Sequence, residues 1–154
     1  EIHVAGFQPV TMLVDYTPAT AVAAQYSLPF SLALALSYGR IGPKELSEAN
    51  LQDPDLLDLA QRVLVSVDPE LDRLFPEKTA TRVTLRTRRG DFTTTVEYPK
   101  GDPANRLSDA ELAEKFRWLT AEEIGEERSK ALKKAIDHVE ELEDVRHLTQ
   151  WLAF

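Results

Sequence analysis

The sequence predicts an α+β fold: a two-layer sandwich of a mostly antiparallel sheet with helices on one face, followed by a C-terminal helical tail. Three patterns predict it. Apolar and polar residues alternate with period two at residues 1–4, 62–68 and 81–98, which marks strands. A capped, apolar stretch from Leu28 to Tyr38 reads as a buried helix. From Ser108 onward the spacing becomes helical and strongly charged. An early strand, a helix, further strands and then helices is the order expected of a sheet backed by helices.

Each element has a local reason. Glu1-Ile2-His3-Val4 alternates from the first residue, so the chain reads as a fragment of a longer protein or a mature product of one. Residues 6–24 carry Pro9 and Pro18 and form a long connection, which marks a candidate functional loop. Within it Val10, Met12, Leu13 and Val14 fit either a strand or a segment that docks on a partner surface. In the helix that follows, Ser27 is placed as N-cap, Pro29 stands in the first turn where a missing N–H costs little, and Gly39 closes the far end. Because this helix has no polar stripe, part of its surface is expected to meet another domain.

Residues 43–47 read as a helical turn. Residues 53–61 read as a helix with Asp53 as cap and Pro54 at its first position. In residues 62–68 Val63, Val65 and Val67 share one face of a half-buried strand, ended by Asp68-Pro69. A short helical turn is expected over residues 70–75. Residues 81–98 read as a hairpin turning around Gly90-Asp91, with Val83, Leu85 and Thr87 on one face and Arg82, Thr84, Arg86 and Arg88 on the other. Ser108 with Glu111 three residues later forms a capping box. Leu112, Phe116 and Leu119 line the helix it opens. Residues 122–142 are charged, with Ile124, Leu132, Ile136, Val139 and Leu142 as anchors and Gly125 as an interruption, and residues 144–152 form a last short helix.

Composition narrows the function classes. A chain of 154 residues suits one compact domain. Net charge −8 argues against a general phosphate-binding surface, and the arginines of the hairpin are read as a solvated face, so no nucleic acid is expected. No apolar run reaches membrane-spanning length, so no membrane partner is expected. The absence of cysteine excludes disulfide frameworks, thiolate metal sites and cysteine nucleophiles, and suits a cytoplasmic address. There is no P-loop, no dinucleotide fingerprint, no HExxH and no GxSxG. His3, His138 and His147 lack metal-ligand spacing, so no metal site is expected.

The informative segment is Ala23-Ala24-Gln25-Tyr26-Ser27-Leu28-Pro29-Phe30, followed by Ala33, Ala35 and Gly39. It resembles the entry into the buried helix of the MmgE/PrpD family (2-methylcitrate dehydratase-like), C-terminal domain. The resemblance runs on through Arg62-Val63-Leu64-Val65, Asp68-Pro69-Glu70-Leu71, the hairpin at Gly90, Tyr98-Pro99-Lys100-Gly101-Asp102-Pro103-Ala104-Asn105, and Leu107 to Leu112 leading to Lys115-Phe116. It departs at Arg106, where the family prefers proline after asparagine.

The resemblance implies that residues 1–154 are a single C-terminal lid domain, with an N-terminal helical domain of the same protein absent. It implies a parent enzyme, a homodimer, that acts on small di- or tricarboxylates without metal or other cofactor. The reactions it implies are dehydration, decarboxylation or epimerisation, all by proton transfer next to a carboxylate. The helical domain would supply most acid–base groups, and the isolated chain would be inactive. Ser27 opens a helix whose free N–H groups would attract a carboxylate. Tyr26 is the candidate catalytic residue, a hydrogen-bond donor or proton relay. Gln25 and Ser27 are candidates for substrate binding, and Lys100 for positive charge at the rim. Read without the resemblance, the same residues leave a plainer alternative open: Ser27 caps, Tyr26 packs and Lys100 is a solvated turn lysine. The chain would then be a non-catalytic small-ligand or protein-interaction domain, with its apolar helix fully covered by its own sheet.

Overall fold

The computed structural model of the chain describes residues 1–152, with the side chain of Leu152 excepted. That side chain, one anchor of the expected last helix, lies outside the described residues. The chain forms two compact units, Glu1–Asp102 and Pro103–Phe154. The fold is mixed α+β, with a sheet, surrounding helices and helices at the C-terminal end.

The first unit is built on four strands: β1 Ile2–Gly6, β2 Val63–Val67, β3 Thr81–Thr87 and β4 Gly90–Val96. Their order is β2-β1-β3-β4. β1 runs parallel to β2 and antiparallel to β3, and β3 runs antiparallel to β4. The sheet is thus mostly antiparallel. Alternation sets its two faces. Ile2, Val4, Val63, Val65, Val83 and Leu85 form one apolar face, against which Leu28 and Leu32 of α2 (Leu28–Tyr38) and Leu59 of α4 (Pro54–Gln61) pack.

Behind that layer the helices make their own core. Phe30, Ala33 and Leu34 of α2 are completely buried with Ala24, Leu56 and Ala60. Burying a phenylalanine this way stabilises the fold by about 2–3 kcal/mol relative to leaving it in water. The caps of α2 and α4 fall where the sequence places them. The Ser27 hydroxyl accepts from the Phe30 N–H at 3.0 Å, and the Asp53 carboxylate accepts from the Asp55 N–H at 2.9 Å. Gly39 ends α2 at φ 73°, a left-handed conformation that costs a residue with a Cβ far more than it costs glycine.

Four local expectations are corrected. The segment around Val10 is a 3-10 helix, Gln8–Met12, rather than a strand, because Pro9 fixes the first turn and Val10 turns inward to be buried. Two short helices were not legible: α1 Ala21–Gln25, capped by Thr20, and α3 Glu48–Leu51. The hairpin turns at Arg88-Arg89, since Thr87 already pairs with Gly90. The short helix after β2, α5, spans Pro69–Asp72 and starts one residue before the expected turn because Asp68 caps it.

In the second unit Ser108 and Glu111 make the expected capping box at the head of α6 (Asp109–Ile124). Gly125, at φ 84°, breaks the chain there, and α7 (Glu126–Asp137) follows. The Thr120 and Ser129 hydroxyls meet at 2.5 Å and join the two helices. A turn at Val139–Glu141, α8 (Arg146–Thr149) and a turn at Gln150–Leu152 complete the described chain.

Candidate functional site

The corner between α1 and α2 gathers three of the four residues singled out by sequence. Gln25 ends α1, Tyr26 is its C-cap and Ser27 is the N-cap of α2. Two helix boundaries therefore fall on consecutive residues, and the chain bends sharply between them.

Ser27 is completely buried. Its hydroxyl accepts from the Phe30 N–H and donates to the Asp15 carbonyl. The Leu28 N–H donates to the Leu13 carbonyl at 2.8 Å, Pro29 has no N–H, and the Ser31 N–H donates to the Ser27 carbonyl at 2.9 Å. Every donor of the first turn is thus spent inside the protein, so the expectation of free N–H groups at this helix tip does not hold. An anion would have to displace a loop to reach them. The loop is itself held. The Asp15 carboxylate accepts from the Thr17 N–H at 3.0 Å, and the Tyr16 hydroxyl donates to the Val63 carbonyl at 3.1 Å. Leu13 and Asp15 act through backbone carbonyls, which leave no side-chain signal in a sequence.

Gln25 and Tyr26 lie on the outside of this corner and are exposed. Tyr26 is 69 % exposed, and its hydroxyl makes no hydrogen bond among the described residues. Val22, one helical turn earlier, is 65 % exposed, and Met12, next to Leu13, is 83 % exposed. The far end of α2 is also uncovered at Leu36 and Tyr38. A phenol, an amide and the apolar side chains of Val22 and Met12 are thus exposed on the segments that meet at this corner. A group placed on Tyr26 would find a solvent-exposed hydroxyl donor beside exposed apolar side chains. Neither α1 nor α2 contains Lys, Arg or His, so the charge of a polycarboxylate has no counterpart on these two helices.

Lys100 stands elsewhere. The corner is tied to the sheet through Val63, at the head of β2, whereas Lys100 follows the exit of β4 beyond Val96. Three inter-strand steps of roughly 4.8 Å and four residues of roughly 3.3 Å separate those two anchor points, about 20 Å along the diagonal of the sheet. Lys100 is exposed in the loop after that exit.

A cleft of about 530 Å³ lies beside the head of α1, lined by Thr17, Thr20, Glu48, Leu51 and Gln52 among others. None of the four sequence candidates lines it, and Glu48, its one ionisable lining residue, repels a carboxylate. On the polar face of the sheet His3 Nε2 and Ser66 Oγ are 3.0 Å apart. There two of the hairpin arginines are paired: Arg82 with Asp68 at 2.7 Å, and Arg86 with Glu1 at 3.0 Å. These pairs offset the charge of two cations of the stripe. No helix among the described residues is long and apolar enough to cross a membrane.

Comparison with protein families matches residues 1–141 to the model described as the MmgE/PrpD C-terminal domain. A search of curated proteins gave no match.

Proposed function

The chain belongs to the MmgE/PrpD C-terminal domain family, and from that membership we propose that it is the cleft-closing domain of a dehydratase-like lyase or related isomerase. The parent enzyme removes or delivers a proton next to a carboxylate of a small di- or tricarboxylate. The helical domain that precedes this one in the chain supplies most of the acid–base groups and the positive charge. Tyr26 meets the substrate as hydrogen-bond donor or proton relay, and Gln25 orients one of its oxygens. Ser27 contributes by holding the bend rather than by touching substrate, since its hydroxyl is committed on both sides. Lys100 has no part in this reading, because its anchor is at the opposite corner of the sheet.

The observation that carries the proposal is the exposure of Met12, Val22 and Tyr26 on segments that meet at a corner whose first-turn donors are all bonded. A self-contained binding module would cover its apolar helix with its own sheet, and α2 leaves Leu36 and Tyr38 in solvent. An exposed apolar rim beside one free phenol suits a surface that closes against another domain.

The test joins the chain to its native upstream domain and assays 2-methylcitrate dehydration, cis-aconitate decarboxylation and iminodisuccinate epimerisation. One of the three is expected to turn over in the joined protein and none in the 154-residue chain alone. Tyr26→Phe in the joined protein is expected to lower kcat by about 10²-fold or more, the scale of a lost proton-transfer group. Normal turnover by the isolated chain, or an unchanged kcat in Tyr26→Phe, overturns the assignment.

A further inference from the structure

The cleft of about 530 Å³ beside the head of α1 falls in the size range of small-ligand pockets, roughly 300–1,000 Å³, and the Tyr26 corner does not use it. One wall is the loop that carries Thr17, Pro18 and Thr20. The other is α3 with the residue after it, which carries Glu48, Leu51 and Gln52. Both walls are fixed. Tyr16, one residue before the first wall, donates its hydroxyl to the Val63 carbonyl, and the Thr17 N–H donates to the Asp15 carboxylate. Leu51 is buried in the same core as Ala24 of α1, and Ala21 packs against that core. The cleft is therefore formed before a ligand arrives, and filling it orders little of the chain.

Its lining is unspent. The Glu48 carboxylate makes no hydrogen bond or ion pair among the described residues, and neither do the Thr17 hydroxyl and the Gln52 side-chain amide. The Thr20 hydroxyl accepts from the Ala23 N–H at 3.1 Å and keeps its own proton to donate. Pro18 and Leu51 are buried and supply an apolar floor. Other carboxylates of this unit are committed: Asp53 and Asp68 cap helices, and Glu45 pairs with Arg40 at 2.9 Å.

These groups select a class of ligand. An ammonium donates in three directions and needs acceptors, and the cleft offers a carboxylate, hydroxyls and an amide oxygen. Its one lining charge is negative, and only one lysine or arginine fewer than none would be needed to leave it so: no cation lines it. A divalent metal ion takes roughly six to eight oxygens, several of them carboxylate. One carboxylate falls short of that, and no group of three metal-binding side chains exists among the described residues.

We propose that this cleft binds a small protonated amine bearing hydroxyl groups. Glu48 takes the ammonium, Thr17, Thr20 and Gln52 take the hydroxyls, and the carbon skeleton lies on Pro18 and Leu51. The site is separate from the proton-transfer chemistry assigned to Tyr26 and does not depend on it.

Amide chemical shifts of the 154-residue chain, followed by NMR during titration with glucosamine and with glucose, test this. The two sugars share ring and size and differ by an ammonium in place of one hydroxyl. At about pH 6 amines hold their proton and carboxylates do not. Glucosamine is expected to move the amides of residues 17–21 and 48–52 and to bind about tenfold more tightly than glucose or better. Glu48→Gln keeps the shape, removes the charge and is expected to bring glucosamine down to the level of glucose. Added salt is expected to weaken glucosamine and leave glucose unchanged. Thr17→Val is expected to weaken both sugars about threefold. The proposal is overturned if glucosamine moves none of these amides up to about 50 mM, if glucose binds as well, or if Glu48→Gln leaves the affinity for glucosamine unchanged. The comparison of the two sugars in the parent chain decides by itself should either variant fail to fold.

Discussion

The α2 corner and the β4 edge treat the same backbone chemistry in opposite ways. At the corner the tip of a helix, normally a source of free donors, has each donor bonded: Leu28 to Leu13, Phe30 to the Ser27 hydroxyl, Ser31 to Ser27. At the edge a strand that reads as an ordinary solvated hairpin arm leaves every second residue's donor and acceptor open. The difference lies in what packs nearby. Loop residues 13–16 close over the helix tip, while nothing in the sheet order follows β4. The lesson is that a helix N-terminus attracts a ligand only where the fold has not already supplied its partner.

The strongest way to sharpen this contrast is Phe30→Ala. It hollows the core beneath the corner and is expected to cost about 3–5 kcal/mol in urea unfolding, whereas Phe92→Ala at the exposed edge should stay within about 1 kcal/mol. Ser27→Ala comes next. It strips the cap from Phe30 and leaves the Asp15 carbonyl without its donor, at about 2 kcal/mol in the same measurement. A neutral Ser27→Ala would break the claim that the corner is held by its internal bonds.

The two edges of β4 can be compared within a single strand. The Arg86 N–H donates to the Glu1 carbonyl, so residues 81, 83, 85 and 87 of β3 turn toward β4 and bond Val96, Thr94, Phe92 and Gly90. Thr94→Pro removes a donor turned toward β3, and Thr93→Pro one turned outward. The first is expected to destabilise the monomer by about 1 kcal/mol more than the second, and the Thr93 amide to exchange faster than that of Thr94 in dilute solution. Equal exchange would sink the assignment of outward groups.

Asp68 supplies a pH dependence. Its carboxylate accepts from the Glu70 N–H and, less closely, the Leu71 N–H, and it pairs with Arg82. The Glu70 N–H above all, with Leu71 and Arg82 adding to it against the cost of burial, holds its pKa below the ordinary aspartate value. A depressed folded pKa means that the contribution is complete above the unfolded value of about 3.9 and is lost as pH falls through the lower, folded one. The melting temperature of Asp68→Asn should therefore fall less steeply than that of the parent chain in this acid range. The smallest effect is expected of Tyr26→Phe in the isolated chain, under about 0.5 kcal/mol, because its hydroxyl is in solvent.

Much of the fold was legible because its signals are local. Ser27, Asp53 and Ser108 announce their helices by chemistry that acts within three residues. Val63, Val65, Val83 and Leu85 announce strands by period two. The short helices at Ala21–Gln25 and Glu48–Leu51 escaped because four or five residues are too few to show a period. The hairpin tip was misplaced because Gly90 attracted the turn, although Gly90 takes its positive φ inside the strand. Of the candidate site, the adjacency of Gln25, Tyr26 and Ser27 was legible as a run of residues. Lys100 joined them only by type, since a sequence does not say which end of a sheet a loop leaves from.

By itself the sequence determined the family, the caps and the alternation of the strands, because each depends on residues that are neighbours along the chain. Only the tertiary structure decided that the helix tip is satisfied, that Tyr26 points outward while Ser27 is sealed, and that β4 ends the sheet. Those outcomes depend on which distant carbonyl or strand arrives beside a given N–H. That is settled by packing across tens of residues, not by the identity of the residue that carries the donor.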